Sequence, residues 1–340
     1  MKKSELLALL QPEIEVIDTT MHQEFASINN TLLKEIIDYA VFNGGKRIRP
    51  LLTLLAARLC AFCKMPKGVG KEEELTPPID LYRLAMVFEF LHAASLLHDD
   101  VIDNATQRRG KPSANTIWGT THVILAGDFL HASAMTLAGT VGDSSTLNII
   151  GSATTAMIEA EFLQMQTAAA KDLSEENYFT ILRGKTGALI GSACEIGAYF
   201  TDAENEQQAA LRRYGDALGL AFQVVDDLLD YQGYPENTGK AVGNDFVEGK
   251  MTLPLIYTLQ NAEGDEKIFI THLLDGTPEQ RQEHIEDIYP LIEKHEGFAY
   301  SRKGAETLVE TAIESLDIFK DCQAKKTLIG LARYVLTREK

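Results

Sequence analysis

Residues 86–103 read MVFEFLHAASLLHDDVID, and residues 218–230 read LGLAFQVVDDLLD. Each is an apolar run that ends in Asp-Asp-x-x-Asp. The first supplies Asp99, Asp100 and Asp103, the second Asp226, Asp227 and Asp230. Residues four apart share one face of a helix, so Asp99 pairs with Asp103 and Asp226 with Asp230. Like charges at that spacing disfavour a helix by roughly 0.3 kcal/mol. Burying them unpaired costs several kcal/mol each. The apolar flanks nevertheless place both helices in a core. Buried acid clusters need cations, and hard oxygen donors with little Cys or His suit Mg²⁺. The alternative is a polar helix end wetted by solvent, which accounts for one such cluster more readily than for two.

Working outward, the rest of the sequence is also helical in pattern. Apolar residues recur at three and four, Ala and Leu are abundant, and alternating β-branched runs are scarce. Helices are predicted over 4–18, 21–41, 47–63, 79–105, 113–140, 144–167, 174–182, 185–200, 203–231, 252–260, 264–273, 277–293, 295–315 and 319–338. Two long polar stretches interrupt them, MPKGVGKEEELTPP at 65–78 and GYPENTGKAVGNDFVEGK at 233–250. Loops of that length are usually functional or disordered. Neither divides the composition, and no linker is rich in Pro, Gly and Ser. One domain over 1–340 is therefore expected, and no short repeat is visible.

The 340 residues include 32 Lys or Arg and 49 Asp or Glu, a formal net charge of −17. That balance excludes sequence-independent nucleic-acid binding, which needs a basic face. It also excludes docking on an anionic membrane by charge alone. Four cysteines make no disulfide framework. Cys60 and Cys63 form a CxxC without a second pair to complete a zinc site, and they close an apolar helical run. MKKSELLALLQPEIEV lacks the form of a signal peptide, and no apolar run is expected to reach the ~18 residues of a membrane span. A cytoplasmic setting is expected.

A phosphorylated small molecule remains compatible with an acidic chain if cations are local. Gly44-Gly45-Lys46-Arg47-Ile48-Arg49-Pro50 packs three cations beside two glycines at a helix start, the anion-favouring end. A solvated helix start is the alternative. Arg108-Arg109-Gly110-Lys111 follows the first Asp cluster; these guanidiniums chelate phosphate or simply neutralise Asp99 to Asp103. Lys185-Thr186, Lys240 and Lys250 are further donors. Lys250 sits in GNDFVEGKMT, which is not a P-loop: the glycine spacing is wrong, Met follows the Lys, and no strand precedes.

Together these residues resemble the trans-isoprenyl diphosphate synthases, or polyprenyl synthetases. The likeness runs through GGKRIRP, LLHDDVIDNATQRRGKPSAN, GDFL at 127–130, GKTGALI at 184–190, FQVVDDLLD, GKAVGNDFVEGKMTLPLIY and ARYVLTREK. The 65–78 loop and the first forty residues carry little of it. The resemblance implies an all-α fold, the isoprenoid-synthase orthogonal helical bundle around a central active-site cavity, as a homodimer. It implies a prenyltransferase that condenses isopentenyl diphosphate with an allylic diphosphate such as farnesyl diphosphate. By similarity Asp99, Asp103 and Asp226, supported by Asp100, Asp227 and Asp230, hold up to three Mg²⁺ ions on the allylic diphosphate. The two Asp helices would face each other across the cavity mouth. Lys46, Arg49, His92 and Arg109 would bind the isopentenyl diphosphate. Arg108, Lys185, Thr186, Gln223, Lys240 and Lys250 would contact the allylic diphosphate or its ions, and His98 is structural.

Residues four and five before the first Asp influence product length in this family, and here they are the small Ser95 and Ala94, with Leu91 a turn further back. With about one helical turn per isoprene unit, small residues at that gate imply a long product, about thirty-five to forty-five carbons, of the kind used as quinone side chains. Phe129 or Met135 would form the floor. So greasy a product would be released to a membrane. The rival readings are a shorter-chain synthase, a terpene cyclase and a non-catalytic synthase subunit. A full second Asp motif argues against the cyclase, and the intact set of ligands against the subunit.

Overall fold

The computed structural model describes residues 3–66, 72, 75–108, 110–232 and 243–338. The chain is all-α apart from one two-residue hairpin among the described residues. In chain order the helices begin with α1 (Lys3–Glu24), α2 (Thr31–Phe42), α3 (Ile48–Lys64) and α4 (Ile79–Ile102). Strands β1 (Gln107–Arg108) and β2 (Lys111–Pro112) follow, then α5 (Ala114–Trp118), α6 (Thr120–Val141), α7 (Ser144–Ala170) and α8 (Glu175–Leu182). A π-turn over Arg183–Gly187 leads into α9 (Ala188–Phe200) and α10 (Asn205–Gln232). The remainder is α11 (Asn244–Val247), α12 (Leu253–Asn261), α13 (Gly264–Asp275), α14 (Pro278–Glu283), α15 (Ile285–Lys294), α16 (Gly297–Glu314) and α17 (Gln323–Val335).

The expected helices are found, with local differences. The first break falls at 25–30 rather than 19–20, because Asn30 is the working N-cap: its side chain accepts from the Leu33 amide at 3.0 Å. The expected helix over 113–140 is split by Gly119 (φ +79). Helix α4 stops at Ile102, and Asp103 is its C-cap.

Two compact units emerge. The first contains Met1–Thr154, Leu189–Gly215 and Ser315–Leu331, and the second Thr155–Ala188, Asp216–Glu314 and Ala332–Lys340. In the first unit α4 packs along α6 and against α3 and α1. Its core includes Ile36, Leu51, Leu52, Phe88, Phe90 and Leu130. In the second unit α12 packs on α16 and α15. Its core gathers Tyr231 of α10, Phe246 of α11, Leu255 and Leu259 of α12, Ile270 of α13, Ile288 and Ile292 of α15, and Phe298. Arg281 of α14 is buried there and donates to the carbonyls of Val247 (2.8 Å) and Gly276 (2.7 Å), pinning α11 beneath the loop that follows.

Helix α6 alone among the described residues is long and apolar enough, by length and composition, to cross a membrane. A window that tolerates Asp128 admits it, although its uncharged runs are short. It is also the principal packing partner of α4. The cysteines are unpaired with one another. Burial pushes the Cys60 thiol up to about 12, so it is an inert core group.

The fully buried Tyr214 hydroxyl donates to the Leu328 carbonyl at 2.8 Å, tying α10 to α17 within the first unit. Tyr214→Phe removes that hydrogen bond and should cost about 0.5–1.5 kcal/mol, read as a lower urea midpoint at unchanged slope.

Candidate functional site

The first aspartate cluster closes α4. The Asp103 amide donates to the Asp99 carbonyl at 2.8 Å, so the helical repeat persists through the motif and the two side chains share a face. Asp103 is exposed and Asp99 half-buried, whereas Asp100 is only 3% exposed. The β1–β2 hairpin folds back so that Arg108 Nε donates to Asp100 Oδ1 at 2.7 Å. In this contact Arg108 neutralises the inner aspartate, one of the two roles open to it in the sequence. His98 lies against Gly127 of α6, where a Cβ would come within 2.3 Å of its ring, and its Nε2 is 3.2 Å from the Ile124 carbonyl and 3.5 Å from Asp128 Oδ1. That packing leaves no room for a side chain at Gly127 of GDFL. Arg109 lies outside the described residues.

The second cluster closes α10 with the same division. Asp226 is exposed, Asp230 half-buried and Asp227 buried. Asp227 accepts from Tyr178 Oη (2.6 Å) and from Gln223 Nε2 (3.0 Å), one donor on each oxygen. Burial pushes its carboxyl well above the usual carboxylate range, reinforced by Asp245, while those two hydrogen bonds pull the other way. Asp230 Oδ2 accepts from the Asp245 amide at 2.9 Å, and Asp226 Oδ1 from Arg338 at 3.2 Å. Arg338 also stacks on the Phe222 ring, 3.9 Å from its centroid.

The cations are placed as follows. Lys46 is exposed and Arg49 half-buried at the start of α3, and His92 is half-buried on α4. Lys185 sits in the π-turn and contacts Glu161 Oε2 (2.6 Å) and Gln164 Oε1 (3.0 Å) of α7. Thr186 donates to Gln223 at 3.4 Å. Lys250 contacts Glu248 at 2.6 Å and Asp245 at 3.5 Å. Lys240 lies outside the described residues. Ala94 and Leu91 are buried in α4, and the Ser95 hydroxyl donates to the His92 carbonyl at 2.9 Å.

No three His, Cys, Asp or Glu side chains among the described residues gather as a metal cage. Mg²⁺ binds through one or two carboxylates plus substrate phosphate oxygens and keeps its waters. The donor set present, outward carboxylates on a shared helix face, suits that ion.

A polyprenyl synthetase family model matches residues 30–292. The chain belongs to the polyprenyl synthetase family. It is 32% identical to the octaprenyl diphosphate synthase of Escherichia coli, over 96% of this chain and 99% of that one. A decaprenyl diphosphate synthase from Rhodobacter capsulatus superposes with a TM-score of 0.86 at 34% identity, covering 99% of each chain. A Caulobacter crescentus polyprenyl synthase, solved with calcium and isoprenyl diphosphate, gives 0.86 at 32% identity over 99% of this chain and 98% of that one. Polyprenyl synthetases are Mg²⁺-dependent in general.

Within this polyprenyl synthetase the sequence did not single out Tyr178, Glu161, Gln164, Asp245 or Arg338. Glu161 and Gln164 stand three apart on α7, a spacing that places both toward one partner. Tyr178 carries no local signal, because its partner is 49 residues away.

The π-turn depends on Gly184, where a Cβ would lie 2.4 Å from the Ala160 Cβ and 2.6 Å from the Ala156 carbonyl oxygen. Gly184→Ala should therefore push the turn off α7, cost about 1–3 kcal/mol, and lower turnover beyond the loss of folded protein by parting Lys185 from Glu161. Denaturant unfolding and turnover per folded molecule check this.

Proposed function

We propose that this polyprenyl synthetase condenses isopentenyl diphosphate, head to tail and in trans, with an allylic diphosphate such as farnesyl diphosphate to give a long-chain polyprenyl diphosphate. The observation that carries the reading is the common division of both aspartate clusters, in which the central carboxylate is buried against protein donors and the flanking ones are exposed or half-buried. Asp99, Asp103 and Asp226 are the carboxylates assigned to Mg²⁺ on the allylic diphosphate, with up to three ions. Lys46, Arg49 and His92 are assigned to isopentenyl diphosphate, and Lys185, Thr186, Gln223 and Lys250 to the allylic end.

In the reaction the allylic carbon–oxygen bond breaks, and its electron pair leaves with the diphosphate. When bound, Mg²⁺ supplies counter-charge for that leaving group. Lys185 and Lys250, already held by carboxylates, are fixed donors that need little reorganisation as charge develops. The double bond of isopentenyl diphosphate forms the new carbon–carbon bond, and loss of a proton from the neighbouring carbon restores a double bond. No side-chain base stands out among the described residues, and the departing diphosphate is assigned the proton. Apolar residues exclude water from the cation.

We place the enzyme in the cytoplasm as a single-domain homodimer that passes its product to a membrane. The exposed apolar side chains of Ile117, Ile124, Leu125 and Leu147 in the first unit support a partner surface. The long-chain reading rests on the small Ala94 and Ser95 and on the long-chain relatives.

Incubation with Mg²⁺, farnesyl diphosphate and labelled isopentenyl diphosphate should give long-chain products on chromatographic sizing. Cyclised or unextended farnesyl products would overturn the reading. Asp99→Ala or Asp226→Ala should lower turnover at least about a hundredfold with the fold retained by circular dichroism. Ala94→Tyr should shorten the product while condensation continues; unchanged chain length would remove Ala94 from the pocket.

A further inference from the structure

Arg47 is the central cation of Gly-Gly-Lys-Arg-Ile-Arg-Pro, yet it does not share the outward position of Lys46. It is 5% exposed. Its backbone is left-handed (φ 49°, ψ 34°), a conformation that L side chains other than Asn and Asp seldom adopt. A strained residue persists only where its surroundings over-determine it. Here three contacts do so. Nε donates to Asp18 Oδ1 of α1 at 2.7 Å, Nη1 donates to Glu89 Oε1 of α4 at 3.2 Å, and the guanidinium lies 5.9 Å from the Phe42 ring centroid at the end of α2.

Glu89 is equally unusual. It is 7% exposed amid Phe88, Phe90 and Leu91, and its Oε2 has no hydrogen-bond partner among the described residues. A half-satisfied buried carboxylate is an expense that packed apolar residues would avoid, so its retention calls for a reason other than stability. One turn further along α4 stands His92. Asp18 lies before residue 30, outside the segment matched by the family model.

We propose that Asp18, Arg47 and Glu89 form a positioning strut for the isopentenyl diphosphate site. Arg47 acts through its neighbours. Turning inward, it forces the left-handed step that ends the loop and starts α3, and this sets where Lys46 and Arg49 stand. Glu89 ties that step to the helix that carries His92. Asp18 fixes the same guanidinium to α1, which makes the first helix a buttress of the site. With two carboxylates around it, Arg47 is committed, and the phosphate-facing charge of the segment falls to Lys46 and Arg49.

The inference rests on the assignment of Lys46 and Arg49 to isopentenyl diphosphate, so Lys46→Ala is the control. The full chain is assayed with Mg²⁺, varying isopentenyl diphosphate at saturating farnesyl diphosphate and then the reverse. Glu89→Gln and Asp18→Asn should each raise the KM for isopentenyl diphosphate about tenfold, with kcat and the KM for farnesyl diphosphate within about twofold of the parent. The triple variant D18L/R47M/E89M replaces the ion triad by apolar volume and should keep its melting temperature while retaining the raised KM. A folded single or triple variant with a normal KM for isopentenyl diphosphate overturns the strut, as does an equal rise for both substrates. If Lys46→Ala itself leaves that KM unchanged, the assignment of the loop fails and the strut fails with it. If Lys46→Ala raises the KM and Glu89→Gln does not, only the strut fails.

Discussion

A carboxylate taken out of water must find a donor or a cation, and both Asp-rich helices are organised around that requirement. Each ends an apolar run with three aspartates, of which the central one points into the core. Asp100 is met by Arg108, returned by the hairpin, and Asp227 by Tyr178 and Gln223. The inner carboxylates are satisfied by the protein, while the outer ones lie exposed or half-buried at the helix surface, where the proposed site would take hydrated ions. The hairpin, the placement of α8 and the spacing of Gln223 four residues before Asp227 all serve this one constraint.

The same rule governs the cations. Arg47, Arg108, Lys185 and Lys250 each contact at least one carboxylate. An excess of acid over base therefore does not oppose an anionic substrate. In the proposed site it would hold cationic side chains such as Lys185 and Lys250 in place, so that less of their freedom is lost on binding phosphate. Arg281 behaves differently: it is buried and spends its donors on backbone carbonyls, and burial lowers its affinity for the proton.

The sequence pattern conveyed the helices well, because apolar spacing and cap residues are local. It placed α3, α8 and α12 almost to the residue and found both aspartate clusters. It could not separate Asp100 and Asp227 from their neighbours, since identical residue types in one motif differ only in which way the helix turns them. Nor could it show the ion pair of Arg108 with Asp100, which is made by a hairpin too short to leave a β pattern. Tyr178, Asp18 and Glu89 were illegible for another reason: each draws its role from a partner 29 to 49 residues distant, and one sequence carries no trace of such a pairing.

The turn at Arg183–Gly187 has a consequence for chain length as well as composition. A π-turn holds one residue more than an α-helical turn, and each residue rotates the helix by about 100°. Deleting one residue there would leave an unbroken helix, indistinguishable by its helical content. It would also remove the widened turn that carries Lys185. The number of residues between Tyr178 and the Gly187 backbone is therefore as much a part of the site as their identities.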